Sequence, residues 1–303
     1  MRSKILILIW LVAGCRFTNP DSQINVNQKS VGIILVNHGS RSATWRDALA
    51  RVEKAVADTI NTIPTVKVLK TAYMEYTEPS LATQLRSCDS LGVTDIIIVP
   101  VFLTVSSHSF DDIPTILGQK EDPQSIENLK IENIQRYTPL ANTHITPLLD
   151  FSGIMKENVL RRVNSLSTDP AQEGLVLIGY GDATYEKEWK LLFDDIADHV
   201  KKNTGIAEYS YGWCGHIVHY NPDSTTTAIQ RVLETKNKAV VIPVLLAHEE
   251  MFQVKIIGDG IQKIKNNHEK IIYKPDAILP DANLEKWVIT ITKEYVAKLN
   301  TPL

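Results

Sequence analysis

Two stretches, IIIVPVFL (Ile96–Leu103) and AVVIPVLL (Ala239–Leu246), are each eight apolar residues long with a proline at the same internal place. A run of this length, rich in Ile and Val and without a polar break, suits a strand buried on both faces of a parallel sheet. Proline removes a ladder donor, so its recurrence predicts a shared bulge or strand end. Further runs flank the first stretch, giving a set at 32–36, 66–74, 95–103 and 131–137. A second set falls at 175–180, 208–213, 239–247 and 271–278. Between them lie amphipathic segments such as 45–57 and 188–200, with apolar residues at helical spacing. Strands alternating with helices imply an α/β architecture with right-handed crossovers.

The two sets are copies. Pro100 and Pro243 are 143 positions apart, as are Pro79 and Pro222, and VNHGS (Val36–Ser40) aligns with IGYGD (Ile178–Asp182) at 142. PLAN at 139–142 aligns with PDAN at 280–283. A near-constant offset indicates an internal duplication. The expected fold is therefore two duplicated lobes, each a mainly parallel sheet flanked by helices, with a cleft between them. The first lobe covers residues 31–150, a connecting segment 151–173, and the second lobe 174–303.

The amino terminus reads differently. Arg2 and Lys4 precede a short apolar run, and Leu11-Val12-Ala13-Gly14 leads into Cys15. A basic start, an apolar core and small residues before a cut form an export signal, too short to span a bilayer, which needs about 20 apolar residues. The cysteine at the cut resembles a bacterial lipobox. Residues 1–14 are thus expected to be a signal peptide, Cys15 a lipidated first residue, and the polar segment 15–30 a flexible tether. The mature protein would be exported and held at a membrane. The chain carries a net charge of −3, and loss of Arg2 and Lys4 makes it more acidic, so no basic patch invites nucleic acid. Cys88 and Cys214 fit no disulfide framework or paired-Cys metal motif and read as core thiols.

In an open α/β sheet, ligands bind beyond the carboxyl ends of the strands. His38 ends the first expected strand, Glu75 ends the second, and His108 follows the third. Two imidazoles and a carboxylate suit a borderline divalent ion such as cobalt, iron, nickel or zinc, and leave coordination positions open. Taken singly, each has a plainer reading: a hydrogen-bonded loop histidine, a solvated glutamate. Asp112, before Ile113-Pro114, reads first as a helix N-cap.

Three segments tip the balance. VNHGSR (Val36–Arg41), AYMEYTEPSL (Ala72–Leu81) and PVFLTVSSHSFDDIP (Pro100–Pro114) resemble, in order and spacing, three motifs of the sirohydrochlorin cobaltochelatase and ferrochelatase family. The third departs from the pattern at Ser106, where the family often has Gly. The resemblance implies paired chelatase lobes and insertion of a divalent metal (cobalt, iron or nickel) into a tetrapyrrole without a nucleotide. It implies metal ligation by His38 and His108, with Glu75 assisting catalysis. Ser40, Arg41, Ser107 and His248 are the expected substrate contacts, Arg41 by pairing with substrate carboxylates. Arg46 reads as an exposed helix-start charge.

The second lobe breaks the pattern. At the positions aligned with His38, Glu75 and His108 stand Tyr180, Val218 and Met251. This lobe is expected to form a wall of the cleft. Cys214, His216 and His219 in GWCGHIVHY (Gly212–Tyr220) are the candidates for a second metal site. The alternative to an enzyme is an exported metal or tetrapyrrole carrier. The oligomeric state is left open.

Overall fold

The structure, a computed structural model, describes residues 29–148 and 151–301. The leader-like segment, Cys15 and nearly all of the tether lie outside the described residues. The first lobe runs β1 (Val31–Asn37), α1 (Ala43–Ile60), β2 (Val66–Tyr73), α2 (Leu81–Ser90), β3 (Asp95–Pro100), a π-helical turn (Ser107–Asp112) continuing into α3 (Ile113–Ile116), α4 (Pro123–Ile131) and β4 (Asn142–Ile145). Helix α5 (Phe151–Leu166) leads to the second lobe: β5 (Glu173–Gly179), α6 (Glu186–Asn203), β6 (Tyr209–Trp213), a short 3₁₀ turn (His216–Val218), α7 (Asp223–Leu233) and β7 (Lys238–Val244). A second π-helical turn (Met251–Ile257), α8 (Gly258–Gln262), α9 (Asn267–Lys270), β8 (Ile271–Tyr273) and α10 (Ala282–Asn300) complete it.

Each lobe is a four-stranded parallel sheet, in the orders β2-β1-β3-β4 and β6-β5-β7-β8. The expected duplication is therefore a duplication of topology, down to a π-helical turn at the same place in each lobe. The central strands are buried along their whole length because helices cover both faces. Pro100 and Pro243 are strand-end features, as expected: the edge strands stop pairing at Ile98↔Ile145 and Val241↔Tyr273, so no neighbour needs the missing N–H. In α1, Ser42 caps the first turn by accepting from Trp45 N, and Trp45, Leu49, Val52, Val56 and Ile60 form one buried stripe. Each such buried side chain contributes about 1.5–3 kcal/mol.

Two expectations need correction. The run 131–137 is not a strand. Asp122 and Pro123 start α4, which carries on to Ile131, and Asn133 then leaves it with φ of 57°. The fourth strand is instead Asn142–Ile145, a half-exposed edge whose polar sequence gives no apolar signal. The repeat thus fails at its last strand, since β8 starts at Ile271.

The segment 151–173 is also more than a connector. Its helix α5 packs on α6 and β7 of the second lobe, while α10, at the far end of the chain, packs on α1 and β3 of the first. The first lobe is thus completed by a helix from the far end of the second lobe's sequence, and the second lobe by the helix of the connecting segment. Asp281 locks the exchange: it caps α10 through Asn283 N (2.8 Å) and Leu284 N (3.3 Å), and accepts from Asn158 (2.8 Å) and Arg161 of α5. One apolar core in consequence runs from the inner face of the first sheet to that of the second.

Candidate metal centre

The carboxyl ends of β1 and β2 are stapled together by backbone bonds. Met74 N donates to Asn37 O and Glu75 N to His38 O, both at 2.9 Å. Gly39 makes this approach feasible: its φ is +91°, and a Cβ there would meet Glu75 O at 2.2 Å. His38 and Glu75 are thereby held side by side. His108 reaches them from the π-helical turn after β3, which Ser106 and Ser109 cap reciprocally. A serine where the family often has glycine therefore has a local function as a capping residue.

The ligand atoms of His38, Glu75 and His108 lie within 4.8 Å of one another, the one group of its kind among the described residues. The two imidazoles meet edge to face with centroids 4.8 Å apart. His38 Nδ1 faces Gly39 O at 3.0 Å, so Nδ1 donates its proton there and the Nε2 lone pair is left free. His108 Nδ1 lies 2.9 Å from Asp112 Oδ2, and its Nε2 lies 3.2 Å from Glu75 Oε1. Both free nitrogens and the Glu75 carboxylate thus converge on one point. Asp112 is not the side-chain cap expected from Ile113-Pro114; no capping bond forms, and its carboxylate orients the imidazole.

Electrostatics separate the two histidines. Burial, then the charge of His108, holds His38 below its ordinary value. Burial also pulls His108 down, but the Asp112 bond and the Glu75 charge outweigh it, and the net shift is upward. Glu132, just past α4, gives its carboxyl to Glu75. Withdrawal from water and the Glu75 charge push it up to about 7. Nothing in the sequence near Glu132 marked it.

The cluster opens into a cavity of about 510 Å³ between the lobes. Its first-lobe wall includes Trp45, Tyr76 and Arg41, whose guanidinium sits 5.2 Å above the Tyr76 ring. The facing wall is aromatic: Tyr180, Trp189, Tyr220 and Phe252, with His216 among them. Hydrogen bonds at the cleft clasp the lobes: Ser40 Oγ to Glu249 Oε2 (3.0 Å), Ser107 Oγ and N to Asp182 Oδ2 (3.0 and 3.2 Å) and Tyr185 Oη to Asp111 Oδ2 (2.8 Å).

Of the expected substrate contacts, Ser40, Arg41 and Ser107 line this cavity. His248 is not among its lining residues, because the turn after β7 presents Ala247 and Glu249 instead. Arg46 is not a free charge; it donates to Ser40 O at 2.7 Å. Cys214, His216 and His219 do not converge. Strand β6 ends at Trp213, Cys214 is fully buried with its thiol pushed up by burial, and His219 lines a separate shallow depression beside Asp223. Cys88, pushed up to about 11 by burial, is a core thiol as expected. Tyr180 stands opposite the cluster, and Met251 lines the same wall, as the alignment of the lobes requires.

Comparison with known proteins finds relatives for both lobes. The CbiX family model matches residues 32–166. The sirohydrochlorin cobaltochelatase of Methanococcoides burtonii is 37% identical over 99 residues, covering 33% of this chain and 71% of that protein. That of Methanocaldococcus jannaschii is 34% identical over 90 residues, 30% of this chain and 60% of its own. Among solved structures, the sirohydrochlorin chelatase SirB from Bacillus subtilis subspecies spizizenii in complex with cobalt superposes with a TM-score of 0.60. It does so at 17% identity, over 88% of this chain and 94% of that one. DR2241 from Deinococcus radiodurans, a multi-domain protein with similarity to chelatases, matches with a TM-score of 0.55 at 16% identity, over 87% of this chain and 54% of its own. Both likenesses extend the two-lobed fold through the half of the chain that the family model leaves out.

Proposed function

Since this chain belongs to the sirohydrochlorin cobaltochelatase family and is a sirohydrochlorin chelatase-like enzyme, we propose that it inserts cobalt or iron into a sirohydrochlorin-like tetrapyrrole bound between the lobes, without a nucleotide. One observation carries the reading: two imidazole nitrogens and a carboxylate converge at the edge of a cavity walled by flat aromatic rings. The metal is a substrate, so it must be held and then released. Neutral imidazoles hold a borderline ion such as cobalt, iron or nickel with open positions left for the macrocycle nitrogens. The ion would displace the His108–Glu75 contact, taking Nε2 of both histidines and a Glu75 oxygen.

Each residue then has a task. Gly39 O and Asp112 fix the histidine tautomers. Glu75 neutralises the ion and, when the ion moves to the macrocycle, becomes a base. Tyr76 and the aromatic facing wall sandwich the ring, and Arg41 stands where a macrocycle carboxylate would emerge. Entry of the ring exchanges the Ser40–Glu249 and Ser107–Asp182 bonds for bonds to its substituents. We further propose export and membrane attachment through lipidated Cys15, on the leader sequence alone.

The test is time-resolved absorbance of sirohydrochlorin with Co²⁺ or Fe²⁺, with and without the protein, in the absence of nucleotide. Insertion accelerated over the uncatalysed rate supports the chelatase. Tight binding of both components with no acceleration refutes it and leaves a carrier.

A further inference from the structure

The metal-holding and proton-accepting groups named so far, His38, His108 and Glu75, all stand on the first-lobe side of the cleft. Insertion breaks two pyrrole N–H bonds while two further metal–nitrogen bonds form, so two protons must leave. A ring lying flat between the walls turns one face to the metal cluster and the other to the second lobe. On that second wall stands one imidazole, His216, in contact with two phenols. Its ring meets Tyr180 edge to face at 5.4 Å and Tyr220 at 5.0 Å. It is near enough to the metal cluster for its charge to act on His38.

The backbone builds this arrangement at some cost. His219 and Tyr220 both adopt left-handed conformations, φ 48° and 60°, which non-glycine residues avoid. The turn is closed by Tyr220 N donating to Gly215 O at 3.0 Å. It folds Tyr220 back so that its hydroxyl lies 2.9 Å from Nδ1 and 3.1 Å from Nε2 of His216 and 3.4 Å from the Tyr180 hydroxyl. Tyr220 Oη lies within hydrogen-bond distance of both imidazole nitrogens and of Tyr180 Oη, so it can accept from the imidazole N–H while donating to Tyr180, which leaves the second nitrogen of the neutral ring unprotonated. His216 is exposed, so a proton taken there passes to water.

We propose that His216 is a catalytic base for the macrocycle face turned away from the metal, with Tyr220 as its positioning residue. The inference rests on the chelatase reading. One N–H proton goes to the His216 lone pair, making an imidazolium that releases it to solvent. The other goes to the Glu75 carboxylate as the metal leaves it. Two metal–nitrogen bonds replace two N–H bonds, and both bases are restored by water. The second lobe lacks the ligands His38, Glu75 and His108 of the first at its aligned positions yet has a chemical role.

The experiment compares wild type, His216→Gln, His216→Ala and Tyr220→Phe. Calorimetry with Co²⁺ alone should give affinities within about threefold of wild type, and kcat is read at sirohydrochlorin concentrations that saturate each variant by fluorescence titration. The kcat of both His216 variants should fall about 100-fold, and free imidazole should restore part of it in His216→Ala. Tyr220→Phe should lower kcat less. A His216→Gln enzyme with wild-type kcat, or a loss in His216→Ala that imidazole leaves unchanged, overturns the base. A wild type that accelerates no insertion overturns the chelatase reading itself and the base with it.

Discussion

Asp112 Oδ2 lies 2.9 Å from His108 Nδ1, four residues earlier on the same π-helical turn. That contact decides which nitrogen of His108 is available and how tightly protons compete for it. The imidazole must be neutral to bind metal, and Asp112 stabilises its protonated form. Metal affinity should therefore begin to fall already above pH 6.5, the ordinary histidine value, as pH drops through the raised value of His108. In Asp112→Asn the affinity at pH 8 should drop about 10–100-fold through loss of orientation. The pH of half-maximal binding should at the same time move toward acid. Calorimetry from pH 5.5 to 8.5 reads both, and an unchanged midpoint would refute the role.

Glu132 supplies a second pH signature. Its carboxyl is raised to about 7, so the folded apo-protein holds a proton there that the unfolded chain has already lost above about 4.5. A raised group stabilises below its unfolded value and stops doing so as pH rises through its folded value. His108 acts in the same sense at higher pH, whereas His38, held low by burial, acts oppositely below 6.5. The melting temperature of the metal-free protein should thus fall as pH rises above 6.5, where His38 no longer opposes the other two groups, and Glu132→Gln should flatten that slope. A slope unaltered in Glu132→Gln would contradict the assignment.

One metal ion per chain is expected. Val218 offers no donor, and the Met251 thioether suits cobalt and iron poorly. His38→Ala and His108→Ala should each abolish measurable Co²⁺ binding at micromolar metal. Tyr180→Ala and Met251→Ala should keep metal affinity and weaken macrocycle binding. Two equivalent sites in the wild-type titration would overturn the assignment.

Asp281 joins both exchanged helices, so its loss should be felt by the whole molecule. Asp281→Ala removes the cap of α10 and the partner of Asn158 and Arg161. The expected cost is about 2–4 kcal/mol. Arg161 is half exposed and can rehydrate, which keeps the figure at that level. Urea unfolding followed by tryptophan fluorescence measures it; a change under about 1 kcal/mol would show that the crossing helices are held by packing alone.

The leader makes a prediction independent of the fold. Cys15→Ala should leave the protein unprocessed or soluble, and wild-type protein should carry several acyl chains, since one alone anchors only marginally. Intact mass and membrane fractionation test it; a Cys15→Ala protein that stays with membranes and a lipid-free wild type would refute the lipobox.

The sequence by itself determined the buried parallel strands, their duplication and the three residues, His38, Glu75 and His108, whose side chains converge at the cleft. Those features leave local signals: unbroken Ile and Val runs, a constant offset, and chemistry-bearing residues just past strand ends, where the architecture places ligands. Ser40, Arg41 and Ser107 were legible for the same reason, each lying in a motif beside a ligand. Only the tertiary structure decided that Asp112 orients His108 rather than capping α3, that Glu132 meets Glu75, and that α5 and α10 trade lobes. It also placed the edge strand at 142–145 and faced Glu249 rather than His248 into the cleft. Each of these depends on contacts between segments distant in sequence or on the direction a turn aims a side chain. An edge strand half in water needs no apolar pattern, and a carboxylate four residues from a histidine looks the same whether it caps a helix or holds the imidazole.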